Sequence, residues 1–131
     1  MDTGPGSPPN APDAPDALLA ARAGVVHDLG ARGLDTAAAV DVVEDVVAAR
    51  RWWVEHWPGG APLVAGQVAQ DVQEKLHDGA GVRWPRCTTA ACPGTAPHQL
   101  HISPDLGPDP QWVCEVGALV VAPLGALTRD S

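Results

Sequence analysis

The sequence predicts an α+β fold: two or three amino-terminal helices packed on a small antiparallel β-sheet. Between residues 16 and 79, apolar side chains recur at three- and four-residue spacing, the period of an amphipathic helix. From residue 80 onward, short apolar runs alternate with Pro, Gly and Asp, as in strands joined by turns. All three cysteines, Cys87, Cys92 and Cys114, fall in this second half, together with His98 and His101.

The elements follow in order. Residues 1–15 hold five Pro and two Gly with almost no apolar content, and are expected to be a disordered tail. Residues 16–131 form one small domain, a helical half (16–79) and a β half (80–131). A first helix is expected over 16–30, with Asp16 as its cap and Leu18, Ala21, Val25 and Leu29 at helical spacing. Gly24 weakens it, and Gly30 and Gly33 end it. The second helix, 35–57, has Asp35 as its expected N-cap and acids in its first half, which suits the helix dipole. Val40, Val43, Val47 and Val54 line one side, and Pro58-Gly59-Gly60 is expected to stop it. A third helix is expected over 62–78, with Pro62 in its first turn and Val64, Val68, Val72 and Leu76 every four residues. Gln67, Gln70, Gln73 and Glu74 are expected on its outside, and Gly79 and Gly81 at its end.

In the β half, Val82 to Arg86 is expected as a short strand. HQLHI (98–102) and QWVCEV (111–116) are expected as a hairpin, and ALVVAPLGAL (118–127) as an edge strand interrupted by Pro123. This half is short of apolar mass, with Trp84, Leu100, Ile102, Trp112, Val113 and the last apolar segment as its stock. A unit that small usually needs a staple or a docking partner.

Composition narrows the functional classes. The chain has 22 Ala and 16 Val but one Ile, no Phe and no Tyr, so five Trp supply all its aromatic mass. The net charge is −8 and no segment is basic, which argues against nucleic acid and anionic membrane surfaces as partners. No apolar run reaches the roughly 18 residues of a membrane span. The amino terminus has neither basic residues nor an apolar stretch of the export type, so a cytoplasmic location is expected. With an odd number of cysteines, a disulfide framework is not expected.

The cysteines and histidines read Cys87-x4-Cys92-x5-His98-x2-His101-x12-Cys114. Zinc takes four tetrahedral ligands of thiolate sulfur and imidazole nitrogen. Two ligands near a tight turn, here Pro93-Gly94, and two from a hairpin form a zinc-ribbon-like arrangement. The candidate ligands are Cys87, Cys92, His98 and Cys114, with His101 as the alternative to His98. Matching the apolar faces joins Leu100 and Ile102 with Trp112 and Val116, and that register sets His98 beside Cys114. A symmetric loop would instead set His101 opposite Cys114. The alternative is that the cysteines are small packed residues and the histidines lie on the surface. No HExxH or HxE…CxxC pattern marks a catalytic metal.

Arg50-Arg51-Trp52-Trp53-Val54-Glu55-His56-Trp57 puts three indoles within six residues. Trp52, Trp53 and Trp57 are the candidate partner-binding residues, since Trp and Arg are favoured in binding hot spots. The competing reading is that they fill a core otherwise built of Ala and Val. Glu55 and His56 could act as acid and base only in a pocket. His27-Asp28 and His77-Asp78 are adjacent pairs that do not face each other on a helix, and a solvated surface is expected for them.

Trp84-Pro85-x-Cys87, His98-x-Leu100, Trp112-Val113-Cys114 and the closing Leu124-Gly125-Ala126-Leu127 resemble small actinobacterial proteins with a zinc-ribbon-like carboxy-terminal half and no established activity. The likeness spans roughly residues 82–127. Three functions are in contention: a non-catalytic adaptor with a structural zinc ion and a protein partner, a small metal- or thiol-dependent enzyme, and a transcription-related zinc ribbon.

Overall fold

The computed structural model describes residues 14–129. Residues 1–13 of the expected tail lie outside the described part, while Ala14 and Pro15 already belong to the first helix. Three helices come first: α1 (Ala14–Ala31), α2 (Ala37–His56) and α3 (Val64–Ala80). A three-stranded sheet follows: β1 (His101–Ser103), β2 (Gln111–Cys114) and β3 (Leu119–Pro123). The strand order is β1-β2-β3 and both pairings are antiparallel, so the fold is α+β.

The helix boundaries differ from the sequence expectation for local reasons. Asp16 lies in the first turn of α1, not at its cap. Gly24 does not interrupt α1; it packs against Gly125 of the carboxy-terminal segment, where even a Cβ would make ordinary contact at 3.5 Å. The N-cap of α2 is Thr36, not Asp35; its Oγ1 accepts from the Ala39 N–H at 3.2 Å. Pro58-Gly59-Gly60 does not open a loop but starts a 3-10 helix, Pro58–Leu63, which contains Pro62. The third α-helix therefore begins at Val64, and it ends at Gly81, whose φ of 66° is left-handed. Gly79 stays inside the described helix.

One core joins both halves. Leu18, Val25 and Leu29 of α1, Val43, Val46 and Val54 of α2, and Val64, Val68 and Val72 of α3 are all buried. Trp84, Leu100, Ile102 and Trp112 of the β half complete the same cluster. Trp84 and Trp112 meet edge to face, with ring centroids 5.2 Å apart. Across α2 and α3, Arg50 reaches both carboxylate oxygens of Asp71, at 2.7 and 3.1 Å.

Two polar residues expected at the surface are in fact buried at the seam between the halves. Gln73 is 6% exposed, and its amide donates to the carbonyls of Trp84 and Leu100 at 3.0 and 2.9 Å. It faces inward because these two segments carry carbonyls that no strand partner takes up. Asp28 is fully buried. Its carboxylate accepts from Trp112 Nε1 at 2.8 Å, from the Gly125 and Leu127 N–H groups at 2.7 and 3.0 Å, and from His27 Nδ1 at 2.9 Å. So His27 and Asp28 do meet, and Asp28 fastens α1 to β2 and to the carboxy-terminal segment. A buried carboxylate is tolerable only with such a full set of donors.

The strands are shorter than expected. Val82 to Arg86 forms no strand; Arg86 makes an isolated bridge to Gln99, and the Trp84-Pro85 bond is cis. The hairpin keeps only His101–Ser103 against Gln111–Val113, with Ile102 opposite Trp112. Val116 does not join the apolar face: it sits in the turn after β2 and is 55% exposed. β3 is an edge strand ending at Pro123, with a bulge opposite Trp112/Val113.

Candidate metal centre

The segment after Trp84 runs antiparallel to the one before β1. Leu100 N–H donates to the Pro85 carbonyl at 2.7 Å, and Cys87 N–H to the His98 carbonyl at 2.9 Å. This fixes Cys87 and His98 side by side. Between them the chain loops out and turns back at Ala90-Ala91, bringing in Cys92. Cys114 comes from the buried face of β2, beside Trp112. The four side chains thus arrive from a bridge, a turn, a loop and a strand.

Their ligating atoms, three Sγ and one imidazole nitrogen, all lie within 4.8 Å of one another. Cys92 Sγ stands 3.5 Å from both His98 Nε2 and Cys114 Sγ, and His98 Nε2 stands 3.3 Å from Cys114 Sγ. A tetrahedral zinc ion with sulfur at about 2.3 Å and nitrogen at about 2.0–2.1 Å needs donors about 3.5–3.8 Å apart. Cys92, His98 and Cys114 stand close to that spacing, Cys87 completes the group within 4.8 Å, and the cysteines are free thiols. Cys114 is buried and the other three are half-buried.

The surrounding backbone is arranged for thiolates and for one histidine tautomer. Gly94 N–H points at Cys92 Sγ and Gly117 N–H at Cys114 Sγ, each at 3.4 Å. His98 Nδ1 donates to the Ala96 carbonyl at 2.8 Å, which leaves the Nε2 lone pair facing the sulfurs. Gly94 lies close against the cluster: a Cβ would stand 2.8 Å from Val116 Cγ1, so the exposed Val116 side chain would have to shift to admit one.

Burial pushes the Cys114 thiol up, but hydrogen bonds from Gly117 N–H, His98, Cys92 and Cys87 outweigh it and bring it down to about 6. Burial pushes the Cys87 thiol up, against a backbone hydrogen bond at Thr89 and with the neighbouring Cys114 and Cys92. His98 is raised, by the Ala96 carbonyl first and by Cys114 second. The Cys114 thiol is thus held below its ordinary value beside an imidazole.

Of the candidate ligands, the structure gathers Cys87, Cys92, His98 and Cys114 and leaves His101 out. In β1, His101 pairs with Val113 and points to the other face, where its Nε2 lies 3.0 Å from Glu115. The register that sets Ile102 on Trp112 is the one that apolar matching selects, but His98 lies before the strand, in loop geometry. The Gly117 and Ala96 backbone contacts had no counterpart in the sequence reading; a glycine three residues after Cys114 is their only trace.

The tryptophans divide into two groups. Trp84 and Trp112 are fully buried, whereas Trp52 is 63% and Trp57 45% exposed. Trp53 is half-buried against the core and meets Trp57 edge to face at 5.0 Å. Trp52 stacks on His56 at 4.1 Å, and the His56 ring also bonds the Trp52 carbonyl at 2.8 Å. Filling the core therefore explains Trp84 and Trp112 but not Trp52 or Trp57.

The fold and the cluster define a small α+β domain with a Cys3His group at the end of the central strand of its sheet. The chain belongs to the family described as Domain of unknown function DUF8819, whose model matches residues 14–124, from the start of α1 to just past β3. None of the curated proteins and none of the solved structures matches it. No described helix is long and apolar enough to cross a membrane.

Proposed function

We propose that this domain is a non-catalytic interaction module whose β half is stapled by one structural zinc ion on Cys87, Cys92, His98 and Cys114. The observation that carries the reading is the convergence of four donors of the type zinc prefers within 4.8 Å. Four protein ligands complete a tetrahedral shell, as in structural sites, whereas catalytic zinc keeps one position for water or substrate. The N–H···S contacts from Gly94 and Gly117 and the Nδ1–H contact to Ala96 are the outer contacts such a site uses to orient its ligands. The ion supplies cross-linking that the apolar content of this half does not.

The same geometry weighs against the other two functions. A thiol- or metal-dependent enzyme needs a nucleophile or an open coordination position, and no carboxylate stands in the cluster to act as base. A nucleic-acid-binding ribbon needs a basic face, and residues 80–131 carry only Arg83, Arg86 and Arg129 against four acids. An acidic domain with exposed Trp52 and Trp57 suits a protein partner.

The test is metal content of protein purified without a metal-binding tag, with Cys114→Ser and Cys87→Ser beside the parent. One zinc per chain in the parent and loss in both variants is the expected result. Should the variants fail to fold, chelator-driven release of zinc from the parent gives the same stoichiometry. A folded parent that takes up no zinc when supplied with it overturns the proposal.

A further inference from the structure

Gln73 serves the seam with only half of its amide. Both hydrogens of Nε2 go to the Trp84 and Leu100 carbonyls, at 3.0 and 2.9 Å, and this fixes which way the group faces. Nothing among the described residues donates to its Oε1. The residue is only 6% exposed. Yet among the described residues no sealed side-chain oxygen lacks a partner, so Oε1 is open to solvent. The opening that Gln73 lines is a cleft of about 490 Å³ between α3 and residues 97–101. Small-molecule sites have volumes of about 300–1,000 Å³.

The cleft carries charge of both signs. Glu74 follows Gln73 on α3, and Arg83 stands two residues past the helix cap at Gly81; both line the cleft. Two other charged pairs there are internal: Asp78 lies beside His77 at 3.4 Å, and Glu115 beside His101 at 3.0 Å. Glu74 and Arg83 have no ion-pair partner among the described residues. A free amide oxygen beside a carboxylate asks for a cationic N–H donor. An unpaired guanidinium asks for a carboxylate or a similar anion. A ligand that answers both demands at once carries an ammonium and a carboxylate.

From this arrangement we propose that the cleft binds a small zwitterion of the amino-acid class. Its ammonium donates to Gln73 Oε1 and Glu74, and its carboxylate meets Arg83. The buried Gln73 Oε1 is the observation that separates this cleft from an ordinary charged surface, where every polar group is already met by water. The proposal does not depend on the metal.

The test uses the full chain labelled with nitrogen-15 and follows the Gln73 side-chain amide signals, assigned through bonds. The protein amino acids are added one at a time, up to millimolar concentration. Ethylamine and acetate, which each carry one of the two charges, are added separately. The expected result is a saturable shift of the Gln73 amide signals with at least one amino acid. Ethylamine and acetate should each bind about tenfold more weakly or worse, since each forgoes one charge-assisted contact. Glu74→Gln and Arg83→Met, both at exposed positions, should each weaken the amino acid by a similar factor. Should either variant fail to fold, the comparison of the three ligand types on the parent decides. Gln73 signals that no amino acid moves overturn the proposal, since water alone would then fill the cleft. Ethylamine binding as tightly as the amino acid, or a shift that survives both substitutions, also overturns it.

Discussion

The helical half and the β half share one core but are held by different forces. In the helices, a close-packed set of Val, Leu and Ala carries the load, and the polar contacts, such as Arg50 with Asp71, lie at the margins. The β half turns Trp84, Leu100, Ile102, Trp112 and Leu127 toward the helices, and only smaller or partly buried apolar residues such as Leu119, Val121 and Leu124 remain around them. The three cysteines and His98 collect where the end of the central strand meets the loops before β1, with Cys114 in the core. The seam between the halves depends on two buried polar residues, Asp28 and Gln73, that no apolar pattern reveals. Where apolar mass runs out, directed contacts replace it: first hydrogen bonds at the seam, then a metal-type cluster at the end of the central strand.

The comparison can be broken most severely at the seam. Asp28→Ala removes the acceptor for Trp112 Nε1 and for the Gly125 and Leu127 N–H groups, leaving buried donors unpaired. At about 1–3 kcal/mol for each orphaned group, urea denaturation should show a loss of at least about 3 kcal/mol. Val72→Ala, inside the helical half, should cost about 2 kcal/mol, from two buried methyl groups and the residual cavity. It should leave zinc content unchanged. Thr36→Ala removes only the cap of α2 and should cost about 1 kcal/mol.

Acid should act on the β half through the cluster. Zinc binds thiolate and neutral imidazole, so binding releases protons and affinity falls as pH falls. Cys114 is held below its ordinary value, at about 6. Cys87 is raised by burial and must give up its proton to bind. Zinc affinity measured by chelator competition should therefore keep rising between about pH 7 and about pH 9, by up to tenfold per unit for each proton released. A flat profile would contradict proton release from the thiols on binding, and with it the three-cysteine ligand set.

The sequence makes the elements legible wherever burial is periodic. Val43, Val47 and Val54 in α2, and Val64, Val68, Val72 and Leu76 in α3, sit on buried faces as their spacing predicts. The spacing alone brings Cys87, Cys92, Cys114 and one histidine into contention as ligands, but the apolar register does not place His98, which lies in the loop before β1. Asp28 and Gln73 were not legible. Both sit on helices at positions that look solvent-facing, and only the tertiary arrangement supplies the donors and acceptors that bury them. The 3-10 turn at Pro58–Leu63 was hidden for a related reason: Pro-Gly-Gly reads as a stop, yet Gly60 has to lie under Trp53 and Trp57, where a Cβ would stand 2.7 Å from a Trp57 ring carbon. Residues 1–13 lie outside the described part, so the expectation of a disordered tail is carried by composition alone.

The central claim is that a metal-type cluster, not apolar packing, holds the loops before β1 to the end of the central strand. Amide hydrogen exchange of the full chain, before and after zinc is stripped with a chelator, tests it most directly. The account predicts that the Cys87, Gly94, Leu100 and Gly117 amides lose protection on stripping while the amides inside α2 and α3 keep theirs. Equal protection in both forms would contradict it, and would return the cysteines to the role of small packed side chains.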